Sequence, residues 1–223
     1  MAEGPAAARD EVAALLSMMQ RVLGREHPDT LATRSELARL TGEAGDPVAA
    51  RDQLTTLLPV LARVLGREHP DTLTAWSEFA RWTGEAGDAA EARNQFAALV
   101  SIRERLLGPE HRRTLAARSN LAHWTGQAGD AQGARDQYAS LVPSYEHEFG
   151  PEHPRTLSVR ASLAGWIGVA GDSAEASNQY AALVPVHERT LGRKHPDTLA
   201  IREDLTFWSN QAGRRPRRRG RQK

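Results

Sequence analysis

What most constrains this chain is a strict period. A Gly-x-x-His signal followed by Thr-Leu begins at Gly24, Gly66, Gly108, Gly150 and Gly192, and each interval is 42 residues. A second marker, Ala-Gly-Asp, starts at Ala44, Ala86, Ala128 and Ala170 with the same interval of 42, and survives altered as Ala212-Gly213-Arg214. Two markers in register without an insertion imply one supersecondary unit repeated along the chain. Such units are too small to bury a core alone and must stack on their neighbours.

Each unit divides into two helices. The first is expected to start at His27-Pro28-Asp29-Thr30 and its equivalents. Proline disfavours helical geometry in the residue before it, which leaves His27 outside, while Pro28 suits the first helical position and Asp29 meets the positive end of the dipole. An apolar stripe at helical spacing follows, Ala75, Phe79, Trp82 and Ala86 in one unit and Val159, Leu163, Trp166 and Ala170 in another. Gly45, Gly87, Gly129 and Gly171 are placed to end that helix in the left-handed conformation, and Asp46, Asp88, Asp130 and Asp172 to cap the next one. Asp88 with Glu91 and Asp172 with Glu175 read as capping boxes. The second helix carries Ala92, Phe96, Leu99, Val100, Leu106 and Leu107 as its apolar set. Pro59, Pro143 and Pro185 fall inside second helices and predict a bend near each, with a straighter helix where Ser101 stands instead. Counting from both ends, residues 8–23 match only a second helix and residues 196–212 only a first. The array is therefore a half unit at 8–23, full units near 24–65, 66–107, 108–149 and 150–191, and a half unit at 192–213, ten helices within an array spanning 1–213.

Composition narrows the function classes. Cysteine is absent, which removes disulfides, thiolate metal sites and cysteine nucleophiles, and agrees with a reducing compartment. No apolar run approaches the roughly 20 residues of a membrane span and no secretory signal is visible at the start, so a cytoplasmic location is expected. The net charge of +1 conceals an asymmetry: Arg214 to Lys223 hold six Arg and one Lys, leaving 22 bases against 28 acids in the rest. Body and tail are separate objects, and a segment so charged and without apolar residues is expected to be disordered.

The repeat resembles the tetratricopeptide repeat, in the 42-residue form found in kinesin light chains. The signature stands here as Gly66-Arg67-Glu68-His69-Pro70-Asp71-Thr72-Leu73, then Phe79-Ala80, Gly87-Asp88 and Ala92. Small residues that let paired helices approach match at Ala38, Ala80, Ala122 and Ala164 and at Ala50, Ala92, Ala134 and Ala176; a bulky residue four positions on matches at Leu54, Phe96, Tyr138 and Tyr180. The resemblance covers residues 8 to 212. It implies an all-α fold, a right-handed solenoid of stacked antiparallel helix pairs, that acts as a non-catalytic scaffold for proteins or peptides. Two departures matter. The late first-helix tyrosine is replaced by Thr41, Thr83, Thr125 and Ile167, with the bulk one place earlier at Leu40, Trp82, Trp124 and Trp166. Of the groove asparagines only Asn120 remains, so a kinesin-type cargo peptide does not transfer. Similar arrays serve as docking or sensing parts of bacterial signalling ATPases; this chain carries no nucleotide-binding domain and would be a stand-alone relative or a fragment.

Candidate chemistry is sparse. His27, His69, His111, His153 and His195 lie one repeat apart, whereas zinc needs its nitrogens within about 2.1 Å and packed helices sit roughly 8–10 Å apart, so they serve turns and hold no metal. His147, Glu148 and His153 are close in sequence but read as residues flanking a turn. Trp82, Trp124, Trp166 and Trp208 read as core, and Trp76 as structural, at a position held elsewhere by Arg34, Arg118, Arg160 and Arg202. Those arginines are expected to pair with Asp52, Asp136 or nearby acids. No phosphate-binding loop, nucleophile elbow or zinc-helix motif appears, and neither an enzyme activity nor a cofactor is indicated.

Function then falls to surfaces. The family register places Ser35, Glu36, Arg39, Ser77, Glu78, Arg81, Ser119, Asn120, His123, Ser158, Ser162, Gly165, Glu203 and Phe207 on the concave groove, as a peptide-binding face of mixed charge. The alternative is a nucleic-acid contact by the tail arginines Arg214, Arg215, Arg217, Arg218, Arg219 and Arg221, which would grip phosphates without reading bases. Self-association through the exposed last helix, with Phe207 and Trp208, is a further expectation.

Overall fold

The computed structural model describes residues 4–213. These form ten helices and no strand: α1 (Pro5–Val22), α2 (Pro28–Glu43), α3 (Pro47–Val64), α4 (Pro70–Glu85), α5 (Ala89–Leu107), α6 (Arg112–Gln127), α7 (Ala131–Phe149), α8 (Pro154–Val169), α9 (Ser173–Thr190) and α10 (Pro196–Gly213). They gather into two units divided within α6, the first up to Trp124 and the second from Thr125. In the first unit α1 packs on α2, α2 on α3, α3 on α4 and α4 on α5; in the second α7 packs on α8, α8 on α9 and α9 on α10.

The repeated Gly-x-x-His-x-x-Thr-Leu segment is a helix-start device. Gly66 and Gly150 take φ of 106° and 96°, which only glycine adopts without strain. The histidine then caps the first helix: the Nδ1 lone pair of His27, His69, His111, His153 and His195 accepts the backbone N–H two residues on, at 3.1–3.3 Å. A ring nitrogen thus does what a Ser or Asp oxygen does at most helix starts. The threonine closes the turn, Thr72 and Thr156 donating to the carbonyls of Gly66 and Gly150 at 2.8 and 2.7 Å.

The Ala-Gly-Asp segment ends the first helix and starts the second. Gly45 has φ 99° and donates to the Gly42 carbonyl, and Asp46 donates to that of Thr41, the two bonds of a Schellman ending. Asp46, Asp88, Asp130 and Asp172 each cap the next helix by accepting the N–H three residues on. The expected capping boxes form only by half. The N–H of Asp88 already donates to Thr83 and that of Asp172 to Ile167, so the glutamates turn along their helix: Glu91 accepts from Gln95 and Glu175 from Gln179.

Both columns of small residues, Ala38, Ala80, Ala122, Ala164 and Ala50, Ala92, Ala134, Ala176, are fully buried, as close helix pairing requires. Helices α3, α7 and α9 run unbroken through Pro59, Pro143 and Pro185. The apolar set of α5 needs one correction. Leu106 and Leu107 are exposed, and Arg103 takes the buried place instead, where its aliphatic stem packs and its guanidinium reaches the carbonyls of Leu73 and Arg113.

Not every recurring glycine sits in a turn. Gly42, Gly84, Gly126 and Gly168 lie inside first helices, and a Cβ on each would fall 2.5, 2.3, 2.2 and 2.5 Å from ring atoms of Trp82, Trp124, Trp166 and Trp208. Each missing side chain is therefore the seat of the next repeat's indole.

Candidate functional site

In the first unit the polar face of the first helices is hollowed. Between α2 and α4 lies a recess of about 220 Å³ lined by Ala32, Ser35, Glu36, Arg39, Asp71, Thr74, Ala75 and Glu78. Four residues expected on the groove, Ser35, Glu36, Arg39 and Glu78, are thus brought together.

Arg39 organises the recess. It bonds Glu36 three residues before it through Nε at 2.9 Å and Nη2 at 2.5 Å, and Glu43 four residues after through Nη1 at 2.5 Å. The bonded guanidinium holds the Glu36 carboxyl below its usual range, and the same pair raises Arg39. Glu78 behaves oppositely. Burial is the largest cause pushing its carboxyl up, with Glu43 adding to the effect, while Arg81 and Arg39 pull it down. Its Oε2 and the Nε1 of Trp82 are both buried without a well-aligned hydrogen bond, although the indole still draws the carboxyl down a little, and the Arg81 guanidinium stands 3.9 Å away. Arg81 itself lies 4.3 Å above the Trp82 ring, a cation–π contact.

The other expected groove residues divide. Ser77 is turned inward: its hydroxyl donates to the Leu73 carbonyl and accepts from Arg103. Burial required this, because a guanidinium without a carboxylate beside it has to collect whatever acceptors are near, and its pKa is lowered chiefly by desolvation. Ser119, Asn120 and His123 are half-buried on α6; Asn120 donates back to Ala116, and burial holds His123 below its usual range against the opposing pull of Glu85. In the second unit Ser158 is exposed and Ser162 and Gly165 are half-buried, while Glu203 and Phe207 share a shallow surface on α10 with Leu199, Arg202, Thr206 and Asn210. The tail arginines Arg214, Arg215, Arg217, Arg218, Arg219 and Arg221 lie outside the described residues.

The remaining polar candidates are structural. Asp52 and Asp136 pair with their neighbours Arg51 and Arg135 rather than with the arginines of the Trp76 column, whereas Arg202 does find an acid, Glu188. Trp76 donates its indole N–H to Gln95. His153 stacks on Phe149 at 5.2 Å between ring centres. Among the described residues no group of three or more His, Asp or Glu is placed to hold a metal ion, and no helix is long and apolar enough to cross a membrane. Sequence reasoning missed the bonds from Arg63 to Glu26, Arg105 to Glu68 and Arg189 to Glu152. Their common separation of 37 residues could have revealed them.

Helix pairs that repeat, bury small-residue seams and expose a polar face define a class: the α-helical repeat scaffold, whose general work is protein–protein interaction. Comparison with known proteins makes this particular. Residues 30–71 and 71–147 each match a family model described as tetratricopeptide repeat. A putative kinesin light chain with nearly identical TPR-like repeats from Podosopora anserina superposes with a TM-score of 0.72 at 28% identity, over 85% of this chain and 90% of that one. A point variant of the same protein gives 0.71 at 26% identity, over 84% and 88%. BtubC (BKLC) from P. vanneervenii gives 0.75 over 95% and 85%, and at 18% identity it speaks for the fold alone. No curated protein matches the sequence. The chain belongs to the tetratricopeptide repeat family, with repeats of the kinesin-light-chain type.

Proposed function

We propose that this chain is a non-catalytic scaffold that holds a peptide segment of a partner protein against the exposed face of its first helices, with the α2–α4 recess as the principal contact. The observation that supports this most is the arrangement around Arg39. Four carboxylates, Glu36, Glu43, Asp71 and Glu78, and two guanidinium groups, Arg39 and Arg81, lie on or beside one recess and are mostly half-exposed. Exposed ion pairs of this kind add little to stability. Presented on rigid helices, they offer fixed acceptors and donors to a backbone and to charged side chains. Acids outnumber bases there, which favours a partner segment carrying Lys or Arg.

A displayed random-peptide library selected on the immobilised chain tests this reading. Enriched peptides are expected to be basic and to bind a double variant, Glu36→Ala with Glu78→Ala, about tenfold more weakly or worse, a loss of one hot-spot contact or more. Enriched peptides that bind the variant as well as the parent chain would exclude the recess.

A further inference from the structure

The two terminal helices expose faces that the chain buries wherever else it uses them. Leu15 on α1 is 47% exposed, while its repeat equivalents Leu57, Leu99, Leu141 and Leu183 are at 1% or less. Leu199 on α10 is 46% exposed, and its equivalents Leu31, Leu73, Leu115 and Leu157 are at 4% or less. Thr206, exposed on α10, occupies the column of the fully buried Ala38, Ala80, Ala122 and Ala164.

What covers these columns elsewhere identifies their partner. In the first unit, Leu31 and Ala38 of α2 form one buried cluster with Ala50, Leu54 and Leu57 of α3. The same columns meet as Leu73 and Ala80 with Ala92, Phe96 and Leu99. In the second unit they meet as Leu157 and Ala164 with Tyr180 and Leu183. Translated by the repeat, the first-helix half of this cluster is Leu199 and Thr206 of α10, and the second-helix half is Ala8, Val12 and Leu15 of α1. Leu199 and Thr206 are exposed in the second unit, and in the first unit Leu15 is exposed while Ala8 and Val12 are half-buried.

We infer that α10 of one copy pairs with α1 of the next, so that two copies complete between them the helix pair that each leaves divided. The side-chain sizes agree with that pairing. Thr206 is the largest residue of a column otherwise wholly alanine, and Val12 is the smallest of a column holding Leu54, Phe96, Tyr138 and Tyr180. An enlarged residue on one half faces a reduced one on the other, which conserves the volume to be filled. The surfaces differ, so the contact is head-to-tail and propagates into rings or open chains rather than stopping at a two-fold dimer.

Sedimentation and light scattering on the full chain test this. The parent protein is expected to show a concentration-dependent series of species. Leu15→Glu and Leu199→Glu, each retaining the parent far-ultraviolet spectrum, should each be monomeric alone, and their equimolar mixture should stop at a heterodimer, since each supplies the face the other lacks. Because the chain has no cysteine, Ala8→Cys and Thr206→Cys give an independent readout. A short bis-maleimide should join them in the mixture and neither to itself. A parent chain monomeric at about 1 mM, the limit of meaningful affinity, overturns the inference. So does self-association of the Leu199→Glu chain alone, which would mean that α1 pairs with α1.

Discussion

Two regions of the same first helices obey different rules. Near the C-terminal end, Gly42, Gly84, Gly126 and Gly168 are the same residue in four repeats, and each receives the tryptophan of the repeat that follows. On the exposed face a turn earlier, the column reads Arg39, Arg81, His123, Gly165 and Phe207, changing at every step but the first. The seam is constrained because indole and backbone share a space with no room for a methyl group. The face is free because water accepts almost any side chain there. In these two regions repetition goes with close packing, and its loss goes with access to solvent.

The seam predicts the largest effect. Gly84→Ala would place a Cβ 2.3 Å from Trp124, and because that ring is buried it cannot swing aside; a loss of about 3 kcal/mol is expected by denaturant titration. Gly87→Ala, in open space but at φ 105°, should cost only about 1–2 kcal/mol. If Gly84→Ala costs no more than Gly87→Ala, the seam is not the constraint described here.

Next comes the buried column where the repeat keeps the site and changes the residue, Leu61, Arg103, Tyr145 and His187. Arg103 is buried without a carboxylate beside it, so Arg103→Leu, restoring the residue of the first full repeat, should be neutral or stabilising by about 1 kcal/mol. Arg103→Ala should cost about 3 kcal/mol, because the stem leaves a cavity.

Glu78 sharpens the comparison at its border. Its carboxyl is raised in the folded chain, chiefly by burial, so folding favours the protonated form. That contribution is fully present below the unfolded value and is lost as pH rises through the folded one. Glu78→Gln should therefore raise the melting temperature by a few degrees at pH 7 and leave it nearly unchanged at pH 4. An equal gain at both pH values would mean that charge burial is not the cause.

The smallest effect belongs to the open face. Arg39→Ala breaks two ion pairs yet should change stability by less than about 1 kcal/mol, since both are solvated. A larger loss would make Arg39 part of the packing and weaken its assignment to recognition.

The legibility of the molecule follows the same division. Helix starts and stops were readable because they depend on neighbours in sequence: His27 before Pro28, Gly45 before Asp46. The capping boxes were half wrong because the competing bond, Asp88 to Thr83, belongs to the preceding helix ending. Leu106 and Leu107 were misplaced because helical spacing alone cannot tell that Arg103 would be drawn inward. Ser35, Glu36, Arg39 and Glu78, expected on one face from their register, line one recess, whereas Ser77, which shares that register, is held by Arg103.

By itself the sequence determined the period, the helix boundaries and the alanine seams, since each rests on local geometry or on a pattern copied several times. Only the tertiary structure decided which glycines house a tryptophan, which charges are paired or stranded, and which repeated faces are left bare on α1 and α10. Those depend on contacts between residues distant in the chain, where packing and desolvation act on whatever side chains the fold brings together.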